Sequence, residues 1–154
     1  MQVGVVQARL TSELRRAVLR PHWPVGTPMF GDDDPGACHV AALDGDLVLC
    51  ACVLVQRPYP RRPDLLPAWK LRGMATAPGQ RNRGYGGLVV RQAADEVAAR
   101  GGRLMWCEAR ERAVPFYARH GFTAEGDSYL NTETGLPHRF MWRELSAVVT
   151  PSDQ

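Results

Sequence analysis

The spacing of apolar residues in the first part of the chain predicts a strand, a helix and a long loop. Residues 3–7 form a short candidate strand, and a helix follows from Thr11 or Ser12, either of which can cap it, to about residue 19. One side of that helix carries the apolar residues Leu10, Leu14, Ala17 and Val18. The loop at 24–36 contains three consecutive acids, Asp32 to Asp34, which we interpret as a solvated segment; a contact to a basic substrate is the alternative.

The next apolar runs predict a hairpin and then an irregular loop. Runs at 38–43 and 47–56 flank the turn Asp44-Gly45-Asp46. The second run is almost wholly apolar, which places it centrally in a sheet. Four Pro and three Arg between residues 57 and 67 exclude regular structure in that segment.

A strand-helix-strand unit dominates the second half of the sequence. A strand at 69–77 precedes a helix at 88–100 and a short strand at 103–108, and a crossover of this length favours parallel pairing. The helix is amphipathic, with an apolar stripe formed by Val90, Ala93, Ala94 and Val97. Three elements remain: a short helix that begins near Pro115 and ends at Gly121, and strands at 122–129 and 138–145.

The segment between the 69–77 strand and the following helix is rich in Gly, Arg and Asn and predicts an anion site. The first N–H groups of a helix lack intrahelical acceptors, and the helix dipole is positive there. Gly84 and Gly86 let the backbone approach a ligand closely, and Arg81 and Arg83 add charges suited to phosphate oxygens. The segment is neither a Walker loop, which ends in Gly-Lys-Ser/Thr, nor the dinucleotide fingerprint, which needs a third Gly where Val89 stands.

Composition narrows the class of protein. The 154 residues suffice for one domain with a substantial core, and the 23% of charged residues is ordinary for a soluble chain. The formal net charge of +3 gives weak support to an anionic ligand, and the dispersed Arg residues form no nucleic-acid footprint. The four Cys lack the spacing of a metal site, and Cys50 and Cys52 are expected to be buried free thiols. Without a signal peptide or a long apolar run, we expect a cytoplasmic protein that binds no metal, membrane or nucleic acid.

Two motifs, in order along the chain, resemble those of the GNAT superfamily of N-acetyltransferases. The pattern Arg81-x-x-Gly84-x-Gly86 is similar to the family's R/Q-x-x-G-x-G/A coenzyme A loop. The family's later pattern, A-x-x-FY-x-x-x-GF, is matched by Ala113, Phe116, Tyr117, Gly121 and Phe122. The resemblance implies an α/β (α+β) fold with a mixed central sheet of about six to seven strands flanked by helices. We expect one domain over residues 1–147 and a C-terminal tail at 148–154.

The resemblance also implies a co-substrate and the residues that bind it. Acetyl-CoA would pair its pantetheine arm with the backbone of Met74, Ala75 and Thr76. Its pyrophosphate would bind the loop residues Arg81, Asn82, Arg83, Gly84, Tyr85 and Gly86. The implied activity is transfer of the acetyl group to a primary amine of a small molecule or peptide by direct attack, in a protein that can form a homodimer. The alternative is a non-catalytic acyl-CoA-binding or regulatory module.

Two side chains are candidates for the chemistry. Tyr117 corresponds to the family's frequent general acid, which would protonate the departing thiolate; core packing is the alternative. One family branch uses a Glu base near the start of the strand before the loop, and in this chain Lys70 occupies that position. Glu108, predicted to end the following strand, is the substitute: a base, a binder of the cationic amine, or an ordinary exposed Glu. His138 and His120 are further candidates for the base.

Overall fold

Seven β-strands and three α-helices occur in residues 1–145, the part of the chain that this computed structural model describes. The described residues divide into two compact units. Unit 1 contains Met1–Gln56 and Leu71–Ala93, and unit 2 contains Arg57–Lys70 and the residues from Ala94 onward. The predicted tail at 148–154 lies outside the described residues.

The strands of unit 1 begin with an antiparallel meander. β1 (Gln2–Val6) pairs with β2 (Cys38–Asp44), and β2 pairs with β3 (Leu47–Gln56). The predicted hairpin turn is confirmed, with Gly45 at a φ of 58°. β3 is buried along nearly its whole length, and its apolar residues therefore form the centre of this unit, as predicted.

The first α-helix, α1 (Ser12–Leu19), differs from its predicted pattern. Its buried residues are Arg15 and Arg16, whereas Ala17 of the predicted apolar stripe is exposed. Thr11 is the N-cap residue, but its side chain does not cap: the Thr11 hydroxyl donates to the carbonyl of Ala8 at 3.2 Å. The stripe prediction is wrong because the following loop supplies polar partners that allow two Arg side chains to be buried.

The strand-helix-strand unit is confirmed, although its boundaries shift, most of all at the start of the helix and the end of the second strand. β4 (Ala68–Thr76) runs parallel to β5 (Leu104–Arg110), in register from Ala68↔Leu104 to Lys70↔Trp106. The helix between them, α2 (Tyr85–Ala99), begins at Tyr85 rather than at the predicted Leu88. Its predicted apolar stripe is buried.

Unit 2 continues with a short helix and an antiparallel strand pair. α3 (Val114–Arg119) has Pro115 in its first turn, as predicted. β6 (Thr123–Leu130) pairs with β7 (Pro137–Glu144), and β7 pairs with β5. β5 extends to Arg110, so Glu108 lies within this strand and not at its end.

An aromatic cluster forms much of the core of unit 2. The loop at 57–67 is irregular, as its Pro and Arg content predicts, but it inserts Tyr59 so deeply that this residue is 0% exposed. The Tyr59 ring contacts those of Trp106, Phe140 and Trp142, with centroid distances of 5.3, 5.9 and 6.2 Å. A buried aromatic side chain therefore holds this irregular loop against the core of unit 2.

The seven strands form one sheet in the order β1-β2-β3-β4-β5-β7-β6. Parallel pairing of β4 with β5 and antiparallel pairing elsewhere in the described registers make it a mixed sheet. The predicted α/β fold with a mixed sheet of six to seven strands is confirmed. Cys38, Cys50, Cys52 and Cys107 are free and buried, which confirms the prediction for the thiols.

Candidate active site

The glycine loop between β4 and α2 has an unusual backbone. Asn82 and Gly84 have φ angles of 63° and 84°, a region that few residues other than Gly and Asn adopt readily. α2 begins directly after Gly84, whose carbonyl accepts the N–H of Leu88 at 3.2 Å. Gly86 therefore lies in the first helical turn, where backbone N–H groups have no intrahelical acceptor. Without a Cβ at Gly86, those N–H groups can be approached closely by an anion.

The side chains of this loop are accessible. Arg81, Asn82 and Arg83 are exposed, and Tyr85 is half-buried. Two guanidinium groups, the N–H groups of a helix start and the positive end of the helix dipole are thus concentrated within a few residues of unit 1. This arrangement can bind a phosphate or pyrophosphate group.

The end of β4 has fixed side chains around a buried thiol. The hydroxyl of Thr76 donates to Cys50 Sγ at 3.4 Å, and the Cys50 thiol donates to Met74 Sδ at 3.6 Å. Burial raises the pKa of the Cys50 thiol, so the thiol stays neutral at physiological pH. Ala75 is buried between these two half-buried residues. Their contacts give the strand end a defined side-chain arrangement, on the segment predicted to pair with pantetheine.

Tyr117 lies in unit 2 on α3 and is only 6% exposed. Its ring packs edge-on against Phe116 and Phe122, with centroid distances of 5.1 and 5.5 Å. Because Pro115 fixes the start of α3 and Phe122 follows its end, the ring is held on two sides by its own chain segment. Such a phenol has a restricted orientation, as a general acid requires.

Glu108, also in unit 2, has strong partners on both carboxylate oxygens. Lys70 Nζ lies 2.5 Å from Oε2, and the hydroxyl of Tyr129 donates to Oε1 at 2.6 Å. The Lys70 ammonium also lies 4.8 Å from the centroid of the Trp106 ring. Burial, and next the hydrogen bond to Glu108, raise the pKa of Tyr129, which keeps its phenol protonated and donating. Glu108 is therefore not an ordinary exposed Glu, because each of its carboxylate oxygens has a protein partner.

The two histidines proposed as alternative bases lie in different settings. His138 is buried on β7, and its Nδ1 lies 2.9 Å from the carbonyl of Leu136, a distance that fits an N–H donor at Nδ1. This contact orients the His138 ring. His120 follows α3, and its ring packs against Phe116 at 4.9 Å.

The residues predicted to form the site thus fall into two sets, one in each unit. The predicted cofactor-binding residues lie along one continuous segment of unit 1, from Met74 to Gly86. Tyr117 and Glu108 lie in unit 2. The sequence interpretation missed Tyr129. It also treated Lys70 only as an unsuitable base, whereas the structure pairs Lys70 with Glu108. No signal within a single strand could have identified these two partners, because strand register brings them to Glu108.

The described residues contain neither a metal-binding group nor a membrane-spanning helix. No group of at least three His, Cys, Asp or Glu side chains within residues 1–145 is arranged to hold a metal ion. Nor does any helix in that range have the length and apolar character needed to cross a bilayer.

The chain belongs to the acetyltransferase (GNAT) family, whose family model matches residues 8–122. It is an N-acetyltransferase enzyme, of a class that transfers acetyl groups from an acyl-CoA, and the non-catalytic alternative is not supported. A relative described as "uncharacterized N-acetyltransferase YitI", from Bacillus subtilis (strain 168), is 29% identical over 134 residues, which cover 84% of this chain and 87% of the relative.

Solved structures of acetyltransferases resemble this chain in fold. An aminoglycoside 6'-N-acetyltransferase complexed with coenzyme A has a TM-score of 0.73 and 18% identity, and the match covers 97% of this chain and all (100%) of that one. The aminoglycoside 6'-N-acetyltransferase from Enterococcus faecium has a TM-score of 0.71 and 16% identity, with coverage of 97% and 100%. At these identities the likeness shows a shared fold.

Proposed function

We propose that this enzyme transfers the acetyl group of acetyl-CoA to a primary amine of a small molecule or peptide by direct attack. The neutral amine nitrogen forms a bond to the thioester carbonyl carbon, and the carbon–sulfur bond then breaks. The products are an acetamide and coenzyme A, whose thiolate takes up one proton while the amine nitrogen loses one. The observation that carries the proposal is the glycine loop, with Asn82 and Gly84 at positive φ immediately before the start of α2.

The loop is proposed to bind the pyrophosphate of acetyl-CoA. Arg81, Asn82, Arg83, Gly84, Tyr85 and Gly86 combine positive side chains with the N–H groups of a helix start. Met74, Ala75 and Thr76 are proposed to pair their backbone with the amides of the pantetheine arm, in the manner of an added strand. The crystal structure of an aminoglycoside acetyltransferase with coenzyme A, which shares this fold, supports such a ligand.

Tyr117 and Glu108 are proposed to act on the reacting groups. Tyr117 donates its phenolic proton to the departing thiolate. Glu108 is proposed to contact the acceptor amine, as its base or as the carboxylate that binds its ammonium group. A homodimer stays a prediction.

Replacing Gly84 by Val is expected to weaken acetyl-CoA binding at least tenfold, or about 1.4 kcal/mol. A β-branched residue is strained at the Gly84 φ of 84°, so the loop must change conformation and displace the N–H groups that follow. No described atom lies within 4 Å of a Cβ built at Gly84, so a clash within the described structure is not the cause. Isothermal titration calorimetry with acetyl-CoA measures the effect.

Gly101→Val is the matched control. Gly101 follows the other end of α2, has a φ of 79° and likewise has open space around an added Cβ. The two variants therefore carry similar backbone strain, but only Gly84 belongs to the proposed site. Equal affinities for acetyl-CoA in both variants would contradict the pyrophosphate assignment.

Amine acetylation itself is tested with wild-type enzyme, acetyl-CoA and a panel of primary amines, using release of free thiol as the readout. The panel contains putrescine, tyramine, kanamycin and a short peptide with a free N-terminus. We expect thiol release that depends on the amine, with the acetamide found by mass spectrometry. Thiol release at the same rate without any amine would contradict the proposed acceptor class for this panel.

A further inference from the structure

The long loop between α1 and β2 contains a segment, residues 29–32, that lies closely against the strands of unit 1. We call this segment the strap. Gly31 has a φ of 85°, and a Cβ built there would lie 2.9 Å from the Val53 side chain on β3. The Phe30 ring lies on β4, where a Cβ built at Gly73 would be 2.9 Å from it. Glycines at both contacts therefore allow the strap to pack directly on two strands.

The strap covers a defined part of β4. The guanidinium carbon of Arg72 lies 4.1 Å from the centroid of the Phe30 ring, a cation–π contact. Arg72 and Gly73 come directly before Met74, where the segment proposed to pair with pantetheine begins. Release of the strap would therefore uncover β4 immediately before that segment.

A buried cation holds the strap in place. The Arg15 guanidinium on α1 donates to the Phe30 carbonyl at 3.2 Å and forms an ion pair with Oδ1 of Asp32. Oδ2 of Asp32 accepts hydrogen bonds from the Ser12 hydroxyl and from the N–H of Met29. Both oxygens of this carboxylate thus have partners, and α1 is connected to the strap through them.

His39 on β2 faces the same cation. It is 5% exposed, and its Nδ1 lies 3.5 Å from Nη2 of Arg15. A guanidinium is always charged and has only donors, so the ring nitrogen that faces it must present a lone pair. A hydrogen bond also connects His39 to the backbone of Gly31 in the strap. The observed arrangement therefore requires a neutral His39.

The charged groups that act on His39 come from two elements, Arg15 from α1 and Asp32 from the strap. Its partners across the sheet, Val6 on β1 and Val53 on β3, are apolar. Burial, and next the charge of Arg15, lower the pKa of His39 and outweigh the opposing contributions. A proton on Nδ1 would direct an N–H at the N–H groups of Arg15 and bury a second positive charge beside the first.

We propose that the strap is an acid-sensitive device, in which protonation of His39 at Nδ1 releases residues 29–32 and exposes Arg72 and Gly73 of β4. The proton comes from solvent, and no other reactant is needed. The inference is independent of the acetyl-transfer chemistry, because it concerns only the packing of unit 1.

Proton linkage gives the direction and the size of the effect. The closed strap holds a neutral His39 and the open strap allows His39 to protonate, so acid favours opening. An exposed His has a pKa of about 6.5, so the opening constant should rise about tenfold between about pH 7.5 and about pH 5.5 while the closed form stays neutral. The pKa of Asp32 is lowered, so its own titration lies below this interval.

Amide hydrogen exchange of the full chain, followed by NMR, tests the inference. The reporters are the N–H groups of Met29, bonded to Asp32 Oδ2 at 2.7 Å, and of Asp32, bonded to the Met29 carbonyl at 3.1 Å. After correction for intrinsic exchange, their protection factors should fall about tenfold between the two pH values and stay below those of β3 amides. Equal protection at both pH values contradicts the device. Exchange of these amides only together with β3 shows that the strap does not open separately, and contradicts it as well.

Two variants identify the titrating group. His39→Gln keeps a neutral side chain that can accept from Arg15, and it should make the protection of the strap amides independent of pH in this interval. His22→Gln is the matched control, because His22 is exposed and comes before the loop; the tenfold change should persist in it. A pH dependence that survives in His39→Gln would assign the titration to another group and overturn the inference.

An NMR titration of the wild-type His39 ring decides the question even where His39→Gln does not fold. The ring should take up its proton below about pH 6.5, together with the loss of protection in the strap. A His39 that protonates at or above that pH while the Met29 and Asp32 amides stay protected would show that the closed strap tolerates the charge, which rejects the device. Neither measurement uses a substrate, so its outcome is separate from that of the acetylation assay.

Discussion

Replacing Asp32 by Asn is expected to lower the free energy of unfolding by about 3 kcal/mol, because it removes the charge opposite a fully buried Arg. Arg15 on α1 is 0% exposed, and its guanidinium forms an ion pair with the Asp32 carboxylate. It also contacts two neutral acceptors, the Phe30 carbonyl and the Thr11 hydroxyl, both at 3.2 Å. In the variant the guanidinium would remain buried without the carboxylate that compensates its charge.

Asp32 also connects the long loop to α1 through its second oxygen. Oδ2 accepts hydrogen bonds from the hydroxyl of Ser12 at 2.5 Å and from the backbone N–H of Met29 at 2.7 Å. The nearby His39 cannot supply the negative charge that Asp32→Asn removes. Burial, followed by the charge of Arg15, lowers the pKa of His39, which therefore remains neutral.

The same contacts predict a pH dependence of stability. Burial opposes ionisation of Asp32, but the hydrogen bonds from Ser12, Met29 and Arg15, with the charge of Arg15, outweigh it and lower the pKa. A carboxyl whose pKa is lower in the folded state stabilises the fold above its unfolded pKa of about 3.9. That contribution is lost as the pH falls through the lower, folded pKa. Asp32→Asn should therefore be less sensitive than wild type to acid in this range.

Urea unfolding at pH 7 and at acidic pH measures both effects, with Asp33→Asn as the control. Asp33 is the neighbour of Asp32 in the same acidic triplet, and its replacement should change the free energy of unfolding by less than about 0.5 kcal/mol. If Asp32→Asn proved no less stable than Asp33→Asn, the buried ion pair would not be important for stability.

The acidic triplet shows where sequence patterns were insufficient. Consecutive acids in a loop usually face solvent, but Asp32 is the partner of Arg15 from a helix 17 residues earlier. Apolar spacing in α1 favoured a buried face with Leu14 and Ala17. A pairing between a loop and a helix depends on tertiary structure, which periodicity does not contain. For the same reason the buried position of Tyr59 was not apparent within a Pro-rich loop.

Elements whose pattern extends over many residues were predicted well. β3 has an almost continuous apolar run and lies in the core, and α2 has its apolar stripe buried. The start of α2 was placed too late because Gly86 and Gly87 have poor intrinsic helix propensity, yet both lie in the first helical turn. For a candidate anion site this is consequential, since the helical N–H groups begin immediately after Gly84 and not three residues later.

The candidate site likewise contains residues that the sequence made evident and residues that it did not. The cofactor loop was evident because its residues are contiguous and because its glycines permit the backbone conformations and close approach that a bound anion needs. The partners of Glu108 were not evident, because Lys70 and Tyr129 lie 38 residues before it and 21 residues after it in sequence. Strand register brings them together, and register cannot be read from a single strand. This is why Lys70 was predicted only to be unsuitable as a base, whereas in the structure it pairs with the predicted carboxylate.

Tyr117→Phe is expected to lower kcat by about 100-fold, the usual scale for loss of a positioned general acid. The variant keeps the ring that packs against Phe116 and Phe122, at 5.1 and 5.5 Å, so we expect the fold and the affinity for acetyl-CoA to be retained. Without the phenol, the thiolate must leave unprotonated or take its proton from water, and collapse of the tetrahedral intermediate becomes slower. The basic limb of the kcat profile should disappear as well, since it reports the acid in the enzyme–substrate complex.

Single-turnover kinetics with the best amine of the panel gives the rate of the chemical step directly, without product release. Phe116→Leu is the control, because it disturbs the packing around Tyr117 and leaves the hydroxyl in place. Phe116→Leu should lower the Tm, and it should lower the rate of the chemical step far less than Tyr117→Phe does. A Tyr117→Phe enzyme whose chemical step matches that of wild type would leave Tyr117 with core packing as its only role, and the thiolate's proton would then come from another group or from water.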